Sequence, residues 1–276
     1  MKNKKTASIT IDVETDWGGR QLVDEPNVGI EKELPWILNL LKKHKIKATF
    51  FINANLLPKY TKQLLKIKKH GHEIASHGFE HNDHSKISYS MLRKSFDACF
   101  RLFKKHMNTK PLGFRAPQFK INKELFKAVE SSGFKYDSSI VAAVLPGRYA
   151  NFKVKKEPYK LVGSKKLVEL PISSINGINF PAGLLWGNKI GPFFFRLLAS
   201  VFGVPRNFIF YLHPFDLTIK KYSFHVPWHI RMWYGFSISD PKQFLESLII
   251  YLKEKEHKFV TLQQLVHQNK NQHSLP

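Results

Sequence analysis

"KATFFINANLLPKYTKQLLKIKKHGHEIAS", residues 47–76, is the stretch that decides how this chain folds. It opens on KATFFIN (47–53), a short apolar run rich in β-formers, as a buried strand requires. LPKYTKQLLKIKKHG then carries apolar residues at helical spacing and stops on Gly71, a residue suited to the backbone that ends helices. HEIAS (72–76) is a second strand. Strand, helix and strand in so short a span make a parallel crossover unit.

The alternation continues in both directions. Upstream, ASITID (7–12) alternates as a strand, and IEKELPWILNLLKKH sets Leu34, Ile37, Leu38 and Leu41 on one helical face. Pro35 belongs in that helix's first turn, where it costs no hydrogen bond. Downstream, residues 88–106 have a long amphipathic pattern, LGFR reads as a strand, and NKELFKAVESSG as a helix with an Asn cap and a terminal Gly133. LVELPI (167–172), NFIFYLH (207–213) and KFVTL (258–262) read as later strands, with a helix at 241–256. Residues 140–166 and 172–190, rich in Gly and Pro, read as long loops. About seven such repeats imply a parallel sheet flanked by helices, barrel-like or doubly wound. No linker divides the chain, so residues 1–276 are expected to form one domain.

Composition excludes several classes. With 43% hydrophobic residues the chain can bury a sizeable core, and its single cysteine, Cys99, excludes an intrachain disulfide framework or a cysteine-based zinc module. The start, MKNKKTASITIDVE, lacks the apolar stretch of a signal peptide, and no apolar run is long enough to span a bilayer. The expectation is a cytoplasmic protein. Lys and Arg outnumber Asp and Glu by 44 to 21, a net charge of +23. Such a field draws nucleic acid, anionic lipid or an acidic substrate, although lysines at helical spacing also suit a solvated helix face. Residues 189–206, KIGPFFFRLLASVFGVPR, are densely apolar with Arg196 inside. They suit the plane of a membrane interface, or else a buried barrel helix.

The polar residues fall where strands end, which is where chemistry gathers in parallel α/β folds. Asp12 and Glu14 close the first strand and Asp16 follows; His77 follows the third, Arg115 ends the fourth, and His213 ends the one before last. His77 and His81 are four apart, a spacing that on one helical face lets two imidazoles reach one ion. An oxygen ligand would complete the site. His225 and His229 repeat the spacing, but Pro227 between them disfavours a helix, and no metal is expected there.

Taken in order, TIDVETD, SHGFEH, FRAPQF, YDSS and YLHPFD, over residues 7–217, resemble the motifs of the polysaccharide deacetylase family, the chitooligosaccharide deacetylase homology domain. The resemblance implies a distorted (β/α) barrel of about seven parallel strands and a metal-dependent amide hydrolase. Carried onto this chain, it implies Asp12 as general base, braced by Arg115. His77, His81 and Glu14 become the metal ligands, with Asp16 the alternative acid. The backbone N–H of Gln118, after Pro117, would bind the oxyanion, and Pro117 would line the substrate. His213 becomes the general acid, oriented by Asp137.

One departure stands out. The family's common first motif has adjacent aspartates, whereas here the acids are spaced Asp12-Val13-Glu14. Residues two apart on a strand share a face, so Glu14 can still lie beside Asp12. The Asp-x-acid spacing resembles the branches that include a deformylase of a lipid-linked amino sugar.

The implied substrate is an N-acetyl or N-formyl amino sugar of a cell-surface polysaccharide or its lipid-linked precursor. The implied cofactor is one divalent metal ion, zinc first, with cobalt, nickel or manganese also suited. The implied location is the cytoplasm, with peripheral contact to anionic membrane at the inner face. Trp17, beside the acids, is the best-placed ring for stacking on a sugar, with Trp186, Trp228 and Trp233 as further candidates. Two other classes remain: a catalytically inactive carbohydrate-binding relative, and a nucleic-acid-binding protein suggested only by charge and lacking any recognisable module.

Overall fold

In the computed structural model, which describes residues 4–16, 27–145, 149–151, 154–218 and 237–273, β1 (Thr6–Val13) is buried along its whole length. Its period of two divides its roles. Ala7, Ile9, Ile11 and Val13 join the large apolar cluster shared with the surrounding helices. Thr10 and Asp12 face the opposite way, into the sheet's concave side.

The crossover unit forms as its sequence dictates, with β2 (Thr49–Ile52) preceding β3 (Glu73–Ser76) in the parallel sheet. β4 (Gly113–Phe114) and β5 (Tyr136–Asp137) continue it. β6 (Val144–Leu145) and β7 (Tyr149–Ala150) form a separate antiparallel pair. β8 (Tyr159–Lys160) runs antiparallel to β9 (Val168–Glu169), and β10 (Asn207–Leu212) and β11 (Lys258–Phe259) complete the described strands. The main sheet has the order β10-β1-β2-β3-β4-β5-β9-β8, with β11 paired to the start of β1. The seven strands from β10 to β9 along that path are mutually parallel.

Irregular backbone bridges the remaining gap. The Ser173 N–H donates to the Ile209 carbonyl at 3.0 Å, and the Tyr211 N–H donates to Ala182 at 3.1 Å. The result is the distorted (β/α) barrel implied by the motifs. A second apolar cluster, including Phe51, Ala75, Tyr136, Leu170, Ile172, Ile209 and Tyr211, fills its interior.

Helices α1 (Leu34–Lys43), α2 (Leu57–Lys69), α3 (Tyr89–Met107), α4 (Lys123–Ser131), α5 (Leu184–Phe202), α6 (Pro241–Glu254) and α7 (Leu262–His273) join the strands. Pro35 sits in the first turn of α1 as expected, and Asn122 caps α4 by accepting from the Leu125 N–H at 2.8 Å. The two stretches read as loops are only partly so. Residues 140–166 hold β6, β7 and β8, each two residues long and so below any periodic signal. Residues 172–190 run into α5, whose helical pattern is hidden by Gly187, Gly191 and Pro192. Gly191, at φ +78°, kinks the helix there.

Candidate active site

The site is built where β1, β3, β4 and β10 end. Asp12 and Glu14 project from the end of β1 on one face, and Arg115 follows β4, its N–H tied to the Ser76 carbonyl of β3 at 3.0 Å. Arg115 is fully buried. Its guanidinium donates to Asp12 Oδ1 at 2.7 Å, to Thr10 Oγ1 at 2.9 Å, to the Ser138 carbonyl at 2.9 Å and to Ser138 Oγ at 2.9 Å. It also lies 4.1 Å from the centroid of the Phe51 ring. A guanidinium held on so many sides fixes Asp12 in one pose. Asp12 Oδ2, buried and without a hydrogen-bond partner, is left facing His213 Nε2 at 4.0 Å.

Glu14, His77 and His81 converge so that one ligand atom from each lies within 4.8 Å of the others. His77 Nε2 is 3.2 Å and His81 Nε2 is 2.9 Å from Glu14 Oε2. Yet Glu14 Oε2, though buried, makes no hydrogen bond: the approach is close, but no N–H is aimed along it. His77 Nδ1 is 2.9 Å from the Arg115 carbonyl. A carbonyl only accepts, so Nδ1 carries the proton and Nε2 offers a lone pair. A lone pair facing a buried carboxylate oxygen repels it unless a cation lies between them, and two imidazoles with one carboxylate are a donor set suited to a divalent first-row metal. The residues therefore fit such an ion.

The loop carrying the histidines departs from the helix expected from their spacing. Residues 77–83 are irregular. Gly78, at φ +81°, turns the chain back, and a Cβ there would lie 2.7 Å from the His84 ring. The Asn53 amide donates to the His77 carbonyl at 2.6 Å, and the N–H groups of Ala54 and Asn55 donate to Gly78 and Phe79. The pair thus meets through a pinned loop rather than a helical face. His84 takes no part. It is buried against Phe96 and Phe114, and burial lowers it to about 4.

Asp16 also stands apart from the histidines. Its carboxylate accepts from the Gly29 N–H at 3.1 and 3.2 Å, and burial raises it to about 6. The acid that meets the histidines is Glu14.

His213 follows β10. Its orienting partner is Asp216, not Asp137. Asp216 Oδ2 lies 2.8 Å from the His213 N–H and 3.2 Å from Nδ1, and the imidazole stacks on Phe215. Burial disfavours the imidazolium, but Asp216, Glu14 and Asp12 together raise it to about 9. Asp137 is occupied elsewhere. It accepts from the Ser139 N–H at 2.8 Å and Oγ at 3.0 Å, and it pairs across the sheet with Glu169. Burial pushes both carboxyls up, Asp137 to about 6; contact with Glu169 partly offsets this for Asp137, whereas the charge of Asp137 raises Glu169 further, so Glu169 carries the proton. Ser139 in turn accepts from the Ala116 N–H at 2.8 Å. Asp137 and Glu169 thus brace the Arg115–Ala116 segment from behind.

Pro117 is buried and opens a short turn in which Gln118, at φ +59°, adopts a left-handed backbone next to the site. Trp186 is a core residue whose indole donates to the Tyr211 hydroxyl at 3.1 Å, not a ring available to a sugar. Trp17, Trp228, Trp233, His225 and His229 lie outside the described residues. Asp216, Glu169, Ser138 and Thr10 were not singled out from the sequence. Asp216 had a signal, three residues after His213 in His-Pro-Phe-Asp; Glu169 had one too, as the only acid in the apolar run LVELPI.

Residues 2–136 match the polysaccharide deacetylase family. A peptidoglycan deacetylase of Helicobacter pylori is 28% identical over 144 residues, 48% of this chain and 48% of its own length. The first curated relatives align over only 27%, 28% and 48% of their own lengths. The fold matches a Mycobacterium smegmatis protein described as a polysaccharide deacetylase, with TM-score 0.67, 19% identity and coverage of 100% of this chain and 94% of that one. It also matches a pseudoenzyme of the same fold from Bacillus anthracis, with TM-score 0.59, 17% identity and coverage of 96% and 66%.

Proposed function

The chain belongs, over residues 2–136, to the polysaccharide deacetylase family, and on that premise we propose that it removes an N-acetyl or N-formyl group from an amino sugar of a cell-surface polysaccharide or its lipid-linked precursor. The observation that carries this reading is the convergence of the His77 and His81 imidazoles on the buried, unbonded Glu14 Oε2, beside an Asp12 braced by Arg115.

Glu14, His77 and His81 would hold one divalent ion, zinc in the first instance. Such an ion supplies Lewis acidity toward the amide carbonyl and the attacking water. Asp12 accepts the water's proton at Oδ2, the oxygen that Arg115 leaves free. As the water oxygen bonds to the acyl carbon, the Gln118 N–H stabilises charge on the former carbonyl oxygen. His213 gives its Nε2 proton to the sugar nitrogen, so that the C–N bond breaks to a neutral amine rather than an amide anion. Asp216 holds Nδ1–H and keeps Nε2 aimed at that nitrogen. Acetate or formate and the free amino sugar are the products. Pro117 and Trp17 are the substrate contacts in this reading. An ion held by Glu14 would offset part of the negative field that raises His213, leaving Asp216 as the carboxylate that keeps its Nδ1 proton.

The reading is tested by offering the zinc-loaded protein N-acetylglucosamine oligomers and N-formyl amino sugars, free and lipid-linked, and measuring released acid and new primary amine in equal amounts. Failure with every substrate despite a bound metal would leave the second reading, a carbohydrate-binding relative without catalysis. That second reading draws support from the likeness to a pseudoenzyme; the full set Asp12, Glu14, His77, His81, Arg115 and His213 weighs against it.

A further inference from the structure

Helix α5 carries an apolar face that the barrel does not use. Before its kink, Leu184, Trp186, Gly187 and Asn188 are buried, and after it Phe195 and Ala199 pack inward. Phe193, Phe194, Leu197, Val201 and Phe202 remain outside, Phe193 being 70% and Val201 68% exposed. Positions 193, 194, 197 and 201 share one helical face. Exposed Ile178 extends the patch, since its neighbour Gly177 abuts the Phe202 ring. A surface helix ordinarily turns charge outward, whereas this one is apolar on both sides. A contiguous exposed patch of this kind marks an interaction surface.

Two facts decide what covers it. Among the described residues no helix is long and apolar enough to cross a membrane, so α5 lies on a surface rather than through one. The stretch 184–206 contains no acid, and although Arg196 pairs with Glu254 of α6 at 2.7 Å, the chain as a whole carries a net charge of +23. Two copies of so basic a chain repel each other, which disfavours pairing through this face, while an anionic bilayer attracts it. We propose that α5 docks on an anionic lipid bilayer, with Phe193, Phe194 and Val201 entering the acyl boundary and the positive field of the chain drawing it to the headgroups.

Flotation of the full chain with phosphatidylglycerol–phosphatidylcholine vesicles at low salt tests this, beside pure phosphatidylcholine vesicles and the double variant Phe193→Ser/Phe194→Ser. The wild type should float with the anionic vesicles, less with the neutral ones, and the variant's partition should fall about tenfold or more at an unchanged unfolding midpoint. Three results would each overturn the docking. They are no binding to anionic vesicles, equal binding by the variant, or a concentration-dependent dimer that the variant abolishes, which would give the face to a second copy.

Discussion

At the scale of single residues, two contacts make opposite predictions. Arg115 and Asp12 are a buried pair, 0% and 1% exposed. Removing the cation strands a buried carboxylate, so Arg115→Ala should cost about 3–5 kcal/mol in chemical denaturation. Lysine, with no planar fork, should rescue little of it. Asp216→Asn should instead leave the fold and metal content intact, because the amide oxygen can still accept from the His213 N–H and Nδ1–H. It should lower kcat by about a hundredfold or more, because the neutral amide no longer supplies the charge that stabilises the His213 imidazolium. Equal kcat in wild type and Asp216→Asn would remove Asp216 from the mechanism. The contrast also shows what was legible beforehand. The pairing of Asp12 with Glu14 follows from the strand's period of two, a local rule. The partner of His213 depended on how the chain turns after Pro214, where Phe215 and Asp216 enter a helical turn. Asp137 fitted the sequence order, but its carboxyl is held by Ser139 and Glu169, and only the cross-strand register reveals that.

At the scale of elements, the histidine loop depends on Gly78. A side chain there would have to adopt φ +81° and meet the His84 ring at 2.7 Å. Gly78→Ala should therefore displace the loop, cost about 1–3 kcal/mol, and weaken metal binding while leaving the helices intact by circular dichroism. Unchanged metal affinity in that variant would show that the loop tolerates the shift. The sequence suggested a helical face for His77 and His81 because spacing alone cannot tell a helix from a closed turn. What it lacked was the long-range tie of Asn53, Ala54 and Asn55 to the loop. The crossover unit at 47–76 was legible because apolar period, Gly71 and strand composition agree locally. The strands β6 to β8, two residues each, owe their existence to neighbours in space.

At the scale of the whole molecule, buried histidines set an acid limit. Burial holds both His72 and His84 at about 4, below their ordinary 6.5. The unfolded chain then binds more protons than the native one between those values. Their contribution is complete above pH 6.5 and falls away as pH drops through 4. His213 acts in the opposite sense. In metal-free protein, its contribution is complete below pH 6.5 and is lost as pH rises through about 9. Melting temperatures of metal-free wild type and His84→Gln should therefore converge as pH falls from 6.5 to 4. A constant difference across that range would exclude a neutral, buried His84. The parallel barrel was readable because each strand repeats the same relation to a helix. Its closure was not, since Ser173 and Ala182 bond to β10 from stretches without periodicity.

Metal stoichiometry tests the central claim most directly. Elemental analysis should find about one divalent ion per chain in the wild type, and almost none in His77→Ala, His81→Ala and Glu14→Ala variants that remain folded. A wild type that takes up no zinc, cobalt or nickel when each is offered, or an ion retained through all three substitutions, would contradict the site.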